Sequence, residues 1–203
     1  MELLPMVFSS GWASGVNAYA VVLLMGLMGR FTGIDTVPDV LTRTDVLVAA
    51  ALMYGVEFVT DKIPYLDSAW DAISTAIRPT VGAVLGLLLA GDATSVEQAV
   101  YASVGGGAAL ASHVVKAGLR LAVNSSPEPV TNVTVSLAED FSVAGVVLFA
   151  LYYPWVALGI SLLLLVAGAV LVVVLMRLVR RGMARRGMAR RRERRAAYPG
   201  KIT

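Results

Sequence analysis

Apolar residues along this chain come in long runs rather than in the narrow stripes of a soluble amphipathic helix. About 20 mainly apolar helical residues are what crossing a bilayer core requires. The pattern predicts an all-α, polytopic transmembrane helical bundle of about six spans, at roughly 9–30, 45–62, 67–91, 97–122, 130–153 and 155–178. The first and last are apolar throughout. The third and fifth have short apolar second halves, Thr80–Ala90 and Phe141–Tyr153, and need their more polar first halves to reach across. Those halves, Asp67–Arg78 and Val130–Asp140, would otherwise be amphipathic or re-entrant pieces lining a cavity, where irregular backbone is tolerated. Pro79 marks an expected kink in the third segment. Gly11 and Gly15, like Gly82 and Gly86, form small-xxx-small pairs that let helices approach closely. Packing within one bundle is the first reading of these pairs, and a homo-oligomer contact the second.

Composition agrees with a membrane protein. The chain is 57% apolar and 15% charged, with a mean hydropathy of +0.74. Without cysteine, disulfides, thiolate metal sites and thiol nucleophiles are excluded. Charge is distributed unevenly. Residues 1–176 carry six Lys/Arg against thirteen Asp/Glu, a net of −7, whereas residues 177–203 carry eleven against one, a net of +10. A basic tail directly after an apolar helix is expected to stay in the cytoplasm. The chain therefore divides into a transmembrane domain, 1–178, and an Arg-rich cytoplasmic tail, 179–203. With six crossings, both termini would be cytoplasmic. The N-terminal stretch has no Lys or Arg before its apolar run, so it is read as a retained segment rather than a signal peptide.

The tail repeats Arg-Arg-Gly-Met-Ala from Arg180 and again from Arg185. A five-residue period does not hold one helix face, and two glycines weaken a helix. Its expected partner is anionic lipid, at about 1 kcal/mol per basic residue near the surface. No aromatic platform is interleaved with it, so nucleic acid is not expected. Two glycosylation sequons, at Asn124 and Asn132, carry little weight because the motif is so short.

Charged groups at membrane depth are costly and usually face the bundle interior with a partner. Glu57 and Asp61 are i,i+4 and share a face with Tyr54 nearby, and Lys62 follows at the helix end. His113, Lys116 and Arg120 share a face of the fourth segment. Arg78 lies within the third, and Glu139 and Asp140 within the fifth. These nine residues define a polar chamber expected to open toward the cytoplasm. Asp61 is expected to pair with Lys116, and Arg78 with Asp140. Glu57, left without an assigned counter-charge, would be free for reversible protonation with His113 as a relay. A gapless alignment of the stretches starting at Arg78 and at Asp140 hints at an internal repeat, the setting in which transporters place their sites.

Several motifs together resemble a bacterial integral-membrane family classed as a domain of unknown function. They are Ser14-Gly15-Val16-Asn17-Ala18-Tyr19, Glu57-Phe58-Val59-Thr60-Asp61-Lys62-Ile63-Pro64 with Asp67, and Arg78-Pro79 before Gly82. Further along come Ser112-His113-Val114-Val115-Lys116 with Arg120, then Asn124, Ser126-Pro127 and Ser136-Leu137-Ala138-Glu139-Asp140. The likeness covers about residues 9–155 and leaves the tail outside. It implies a small multi-pass protein of the bacterial inner membrane and carries no settled activity.

Three functions compete. The leading expectation is a transporter or channel-like protein handling a cation, a proton-coupled solute or a small amphiphile, with no cofactor. A structural or partner-binding subunit would use the same charges only to hold helices together. A lipid enzyme would gather Asp61, Asp67 and Asp71 on Mg²⁺, with Arg78 or Lys116 on phosphate. The chain lacks a Ser-His-Asp order, a zinc helix and a phosphate loop, and one histidine cannot build a histidine-rich metal site. No catalytic or metal-ligating residue is therefore assigned.

Overall fold

The computed structural model describes residues 3–63, 65–124 and 129–197, the side chains of 129 and 181–197 excepted. Among these residues the chain is all-α, with seven helices: α1 (Leu3–Thr32), α2 (Asp39–Thr42), α3 (Thr44–Thr60), α4 (Leu66–Ala90), α5 (Ser95–Asn124), α6 (Pro129–Tyr152) and α7 (Pro154–Ala197). Four of them, α1, α4, α6 and α7, are long and apolar enough to cross a membrane, as a multi-pass membrane protein requires. α3 has only 17 residues, and α5 carries Glu97, His113, Lys116 and Arg120 along its length. The predicted helix positions therefore hold, within a few residues at most ends, and α2 is an addition.

Pro79 does not divide α4, which runs unbroken from Leu66 to Ala90. α6 is likewise one helix. The break falls instead in α1, where Asn17 has extended backbone angles (φ −151°, ψ 97°). Beyond it the chain turns back on itself. A straight 30-residue helix would be about 45 Å long. Yet Leu3 and Met6, at its start, line the same cavity as Asp35, Thr36 and Pro38, just past its end. Gly91 and Pro154, at the α4–α5 and α6–α7 turns, line that cavity too. α1 is thus a hairpin of two half-helices with its apex at Asn17.

Packing partners confirm the path. The first half of α1 runs alongside α5 in the same direction: Gly11 lies against Gly105, Gly15 against Ala109 and Ser112. The second half runs against α2 and α3, with Gly26 on Leu41 of α2 and Leu47 of α3, and Arg30 donating to Thr44 Oγ1. Both termini were expected on one side, which presumed a straight first crossing. In the fold, Leu3 lies at the end of the bundle that holds Gly91 and Pro154. α7 starts from that end and packs Val172 beside Gly118, toward the other.

The small-xxx-small pairs serve this bundle. A Cβ on Gly11 or Gly15 would run into the backbone of α5, and one on Gly82 or Gly86 would meet the same helix from α4. With lipid outside, close van der Waals packing of this kind, rather than removal of apolar surface from water, holds helices together. Val143, Val146, Val147 and Ala150 of α6 pack on Val21, Met25 and Leu85 to complete the apolar core. Over residues 154–180 α7 presents most of its side chains outward, and it continues as helix to Ala197. The tail's alanine, methionine and arginine, all good helix formers, outweigh its two glycines.

Candidate functional site

The apex of α1 is where the buried charges gather. In an unbroken helix, the Ala20 N–H would donate to the Val16 carbonyl. Here it donates to Asn17 Oδ1 at 2.9 Å, so Asn17 caps the second half-helix from within. The carbonyls that end the first half are left open. Val16 O accepts from Lys116 Nζ at 2.9 Å and Gly15 O from Arg78 Nη1 at 3.4 Å; one turn earlier, Trp12 O accepts from Ser112 Oγ at 2.7 Å. Cations at a helix C-terminus are also favoured by its dipole.

Three cations bind five carboxylates into one connected set. Arg78 Nη2 donates to Glu57 Oε1 at 2.6 Å, and its Nη1 lies 2.9 Å from Asp71 Oδ1. Lys116 Nζ is 2.7 Å from Asp61 Oδ2, 3.4 Å from Glu139 Oε2 and 3.6 Å from Glu57 Oε1. Arg120 reaches Glu139 Oε2 at 2.6 Å, with Asp61 Oδ2 and Asp67 Oδ2 each at 3.5 Å. It also donates to the Asp61 carbonyl at 2.7 Å and to Asn132 Oδ1 at 3.1 Å. Arg120 thereby joins the α3–α4 turn to α6. Except for Glu139, every charged member is buried, Arg120 and Glu57 fully so.

Asp61 pairs with Lys116 as expected. The Arg78–Asp140 pair does not form. Arg78 is held by Glu57, Asp71 and the α1 apex, while Asp140 lies 3.8 Å from Lys62 Nζ in a separate rim pair. Lys62 stacks over the Phe58 ring, 3.0 Å from its centroid, and donates to Ser136 Oγ at 3.2 Å. Glu57 is likewise not the free carboxylate expected, because Arg78 is one helix away and supplies its counter-charge.

His113 is fixed by its partners. Arg78 Nη1 lies 2.9 Å from His113 Nδ1, and a guanidinium can only donate. Nδ1 is therefore the acceptor, and the ring proton sits on Nε2, which donates to Thr75 Oγ1 at 2.9 Å. Thr75 Oγ1 donates in turn to the Asp71 carbonyl at 3.0 Å. His113 thus lies between Arg78 and Thr75.

The carboxylates do not converge on a metal position. Asp61 and Asp67 point at Arg120 and Asp71 at Arg78. Among the described residues no three histidine or acidic side chains form a ligand set. Asparagines carry more of the site than the sequence reading gave them. Asn124 Nδ2 donates to Asp67 Oδ1 at 2.8 Å, and Asn132 Nδ2 to the Asp61 carbonyl at 3.4 Å. Both sequon asparagines are buried here. Asn17, an amide in the middle of an apolar run, was the one sequence signal of the break. Pro64 and Ser126-Pro127, both quoted above, lie outside the described residues, as do the side chains of the arginine repeat from position 181 onward.

No functionally curated protein and no solved structure matches the chain. A family model does, over residues 4–174, from the first half-helix of α1 well into α7. The chain therefore belongs to the family described as a domain of unknown function, DUF4126.

Proposed function

We propose that this protein is a small transporter or channel-like protein of the bacterial inner membrane that handles protons or a small cation, alone or coupled to a solute. The observation that carries this reading is a charge imbalance. Five carboxylates (Glu57, Asp61, Asp67, Asp71 and Glu139) share three cations (Arg78, Lys116 and Arg120) in one connected set, buried at every member but Glu139. Burying net charge is costly, and a proton or cation relieves it. The set also sits at the apex of a broken helix, the arrangement by which many transporters present backbone carbonyls to ions near the middle of the membrane.

The topology we propose has five crossings, α3 to α7, with α1 as a re-entrant hairpin. Each half of α1 is about 14 residues, or about 21 Å, too short for a hydrocarbon core of about 30 Å. The arginine-rich end of α7 then lies in the cytoplasm against anionic lipid, and the N-terminus on the opposite face.

Proteoliposomes carrying an imposed pH or cation gradient test the flux. Wild-type protein should dissipate the gradient, and Asp61→Asn and Asp71→Asn should slow it severely. Asp71 is the milder probe, since neither of its side-chain oxygens has a hydrogen bond. Equal flux in wild type and both folded variants, or none in wild type, would overturn the reading. A second reading, a structural subunit, draws on the same ion pairs, since each of the three cations touches at least two carboxylates. Absence of flux together with severe unfolding of the variants would favour it.

A further inference from the structure

The five carboxylates of the network are not held alike. Glu57, Asp61 and Glu139 each touch two cations. Asp67 touches one, but its Oδ1 also accepts from the Ser68 N–H at 2.6 Å and from Asn124 Nδ2 at 2.8 Å. Asp71 has Arg78 alone, and neither of its oxygens accepts a hydrogen bond. The guanidinium explains why. Nη1 carries two N–H groups, and these go to His113 Nδ1 at 2.9 Å and to Gly15 O at 3.4 Å. Asp71 Oδ1, 2.9 Å away, is left with the charge and no hydrogen.

Ser74 is a second exception. It lies three residues after Asp71 and four before Arg78, so the three share one face of α4, with carboxylate and hydroxyl as neighbours. Ser9, Ser103, Ser142 and Ser161 each donate to the carbonyl four residues back. Ser74 Oγ, buried, has no hydrogen-bond partner among the described residues. A carboxylate with unused oxygens therefore stands one turn from an unused hydroxyl. Both are closed off from solvent, and among the described residues no ligand set for a metal ion forms.

We propose that Asp71 is the residue that carries the transported proton and that the Ser74 hydroxyl holds it there. This rests on the transporter reading above and narrows the ion to a proton, which alone needs no added room. Uptake turns the carboxylate into a neutral acid whose O–H donates to Ser74 Oγ; release restores the charge beside Arg78. The Glu57–Arg78 hydrogen bond stays in place throughout. Asp71 lies five residues into α4, about 7 Å from the α3–α4 turn, so the path to that end of the bundle is short. Its charged neighbours on α4 are Asp67 and Arg78. Through Arg78 it meets Glu57 of α3 and His113 of α5, while Arg120 of α5 feels its charge and Tyr19 of α1 that of Arg78.

Proteoliposomes of the full chain, given a pH gradient in one series and a K⁺ or Na⁺ gradient at uniform pH in another, test the flux. Infrared difference spectra, taken as the buffer pH is stepped without a gradient, test the proton's seat. Wild type should dissipate only the pH gradient. Asp71→Asn should slow it at least tenfold and remove one protonated-carboxyl band. Ser74→Ala should slow it at least fivefold and shift that band, because the acid loses its acceptor, and Ser74→Thr should restore both. Ser103→Ala, whose hydroxyl is spent on Ala99 O, is the unchanged control. Flux of K⁺ or Na⁺, wild-type proton flux in Asp71→Asn, or a spectrum that Asp71→Asn leaves unaltered would each overturn the assignment. If wild type carries no ion, the transporter reading fails and the infrared band decides whether Asp71 exchanges a proton. Should Asp71→Asn not fold, the loss in Ser74→Ala and its rescue by Ser74→Thr decide.

Discussion

Lys116 Nζ donates to the backbone carbonyl of Val16 at 2.9 Å, a carbonyl that an intact helix would have consumed. The lysine and the helix break depend on each other. Asn17 takes over the amide of Ala20, and Lys116 and Arg78 take the carbonyls so released. Each replaces a hydrogen bond that the membrane interior would otherwise make very costly to lose.

Asn17→Ala removes the internal cap. It should destabilise the protein by about 0.5–2 kcal/mol, the range for losing an N-cap, while Asn17→Asp or Asn17→Ser should retain most of the cap. Thermal unfolding in detergent reads the difference. An alanine variant as stable as wild type would mean that the break does not depend on the side chain.

Arg78→Met leaves Asp71 buried without its counter-charge and Glu57 with only Lys116, 3.6 Å away. Breaking a buried pair from one side costs about 3–5 kcal/mol. Combining it with Glu57→Gln should recover part of that loss, a coupling expected of residues in contact. Arg78→Met with Asp140→Asn should be additive, because Asp140 belongs to Lys62. Double-mutant cycles on unfolding midpoints separate the two cases.

Gly15→Ala should be strongly destabilising. The added methyl meets the Ala109 carbonyl and Ser112 Oγ, and backbone cannot move aside as a flexible side chain can. Overpacking typically costs about 1–3 kcal/mol, occasionally more. Gly107→Ala is the control: nothing lies within 4 Å of its Cβ position, so it should gain about 0.5–1 kcal/mol from helix propensity. Equal behaviour of the two would disprove close α1–α5 packing.

Reporter fusions check the path of the chain. Reporters at the N-terminus and at Asp92 should report one side of the membrane, and a reporter at the C-terminus the other. An N-terminal reporter on the same side as the C-terminal one would restore a straight first crossing.

Helix positions could be read from the sequence because each long apolar run has to bury its own backbone hydrogen bonds in a helix when it enters lipid. Six of the seven helices follow from that requirement alone. The Asp61–Lys116 pair was also readable, because each charge sits on an interior face and has to find an opposite one. Which acid meets which base was not. Arg78 finds Glu57 and Asp71 rather than Asp140 because α4 packs against α1 and α5, and periodicity on single helices carries no information about that neighbour relation. The hairpin in α1 was hidden for a similar reason. Residues 3–32 are apolar enough to run straight across, and a lone asparagine costs a helix little by itself. Only the arrival of Lys116 and Arg78 from other helices, to occupy the carbonyls of Val16 and Gly15, makes the broken form stable inside a membrane. Local sequence thus determined where helices form, because backbone satisfaction in lipid is a local demand. Tertiary structure decided how the first one folds and which charges meet, because those depend on partners far apart in the chain.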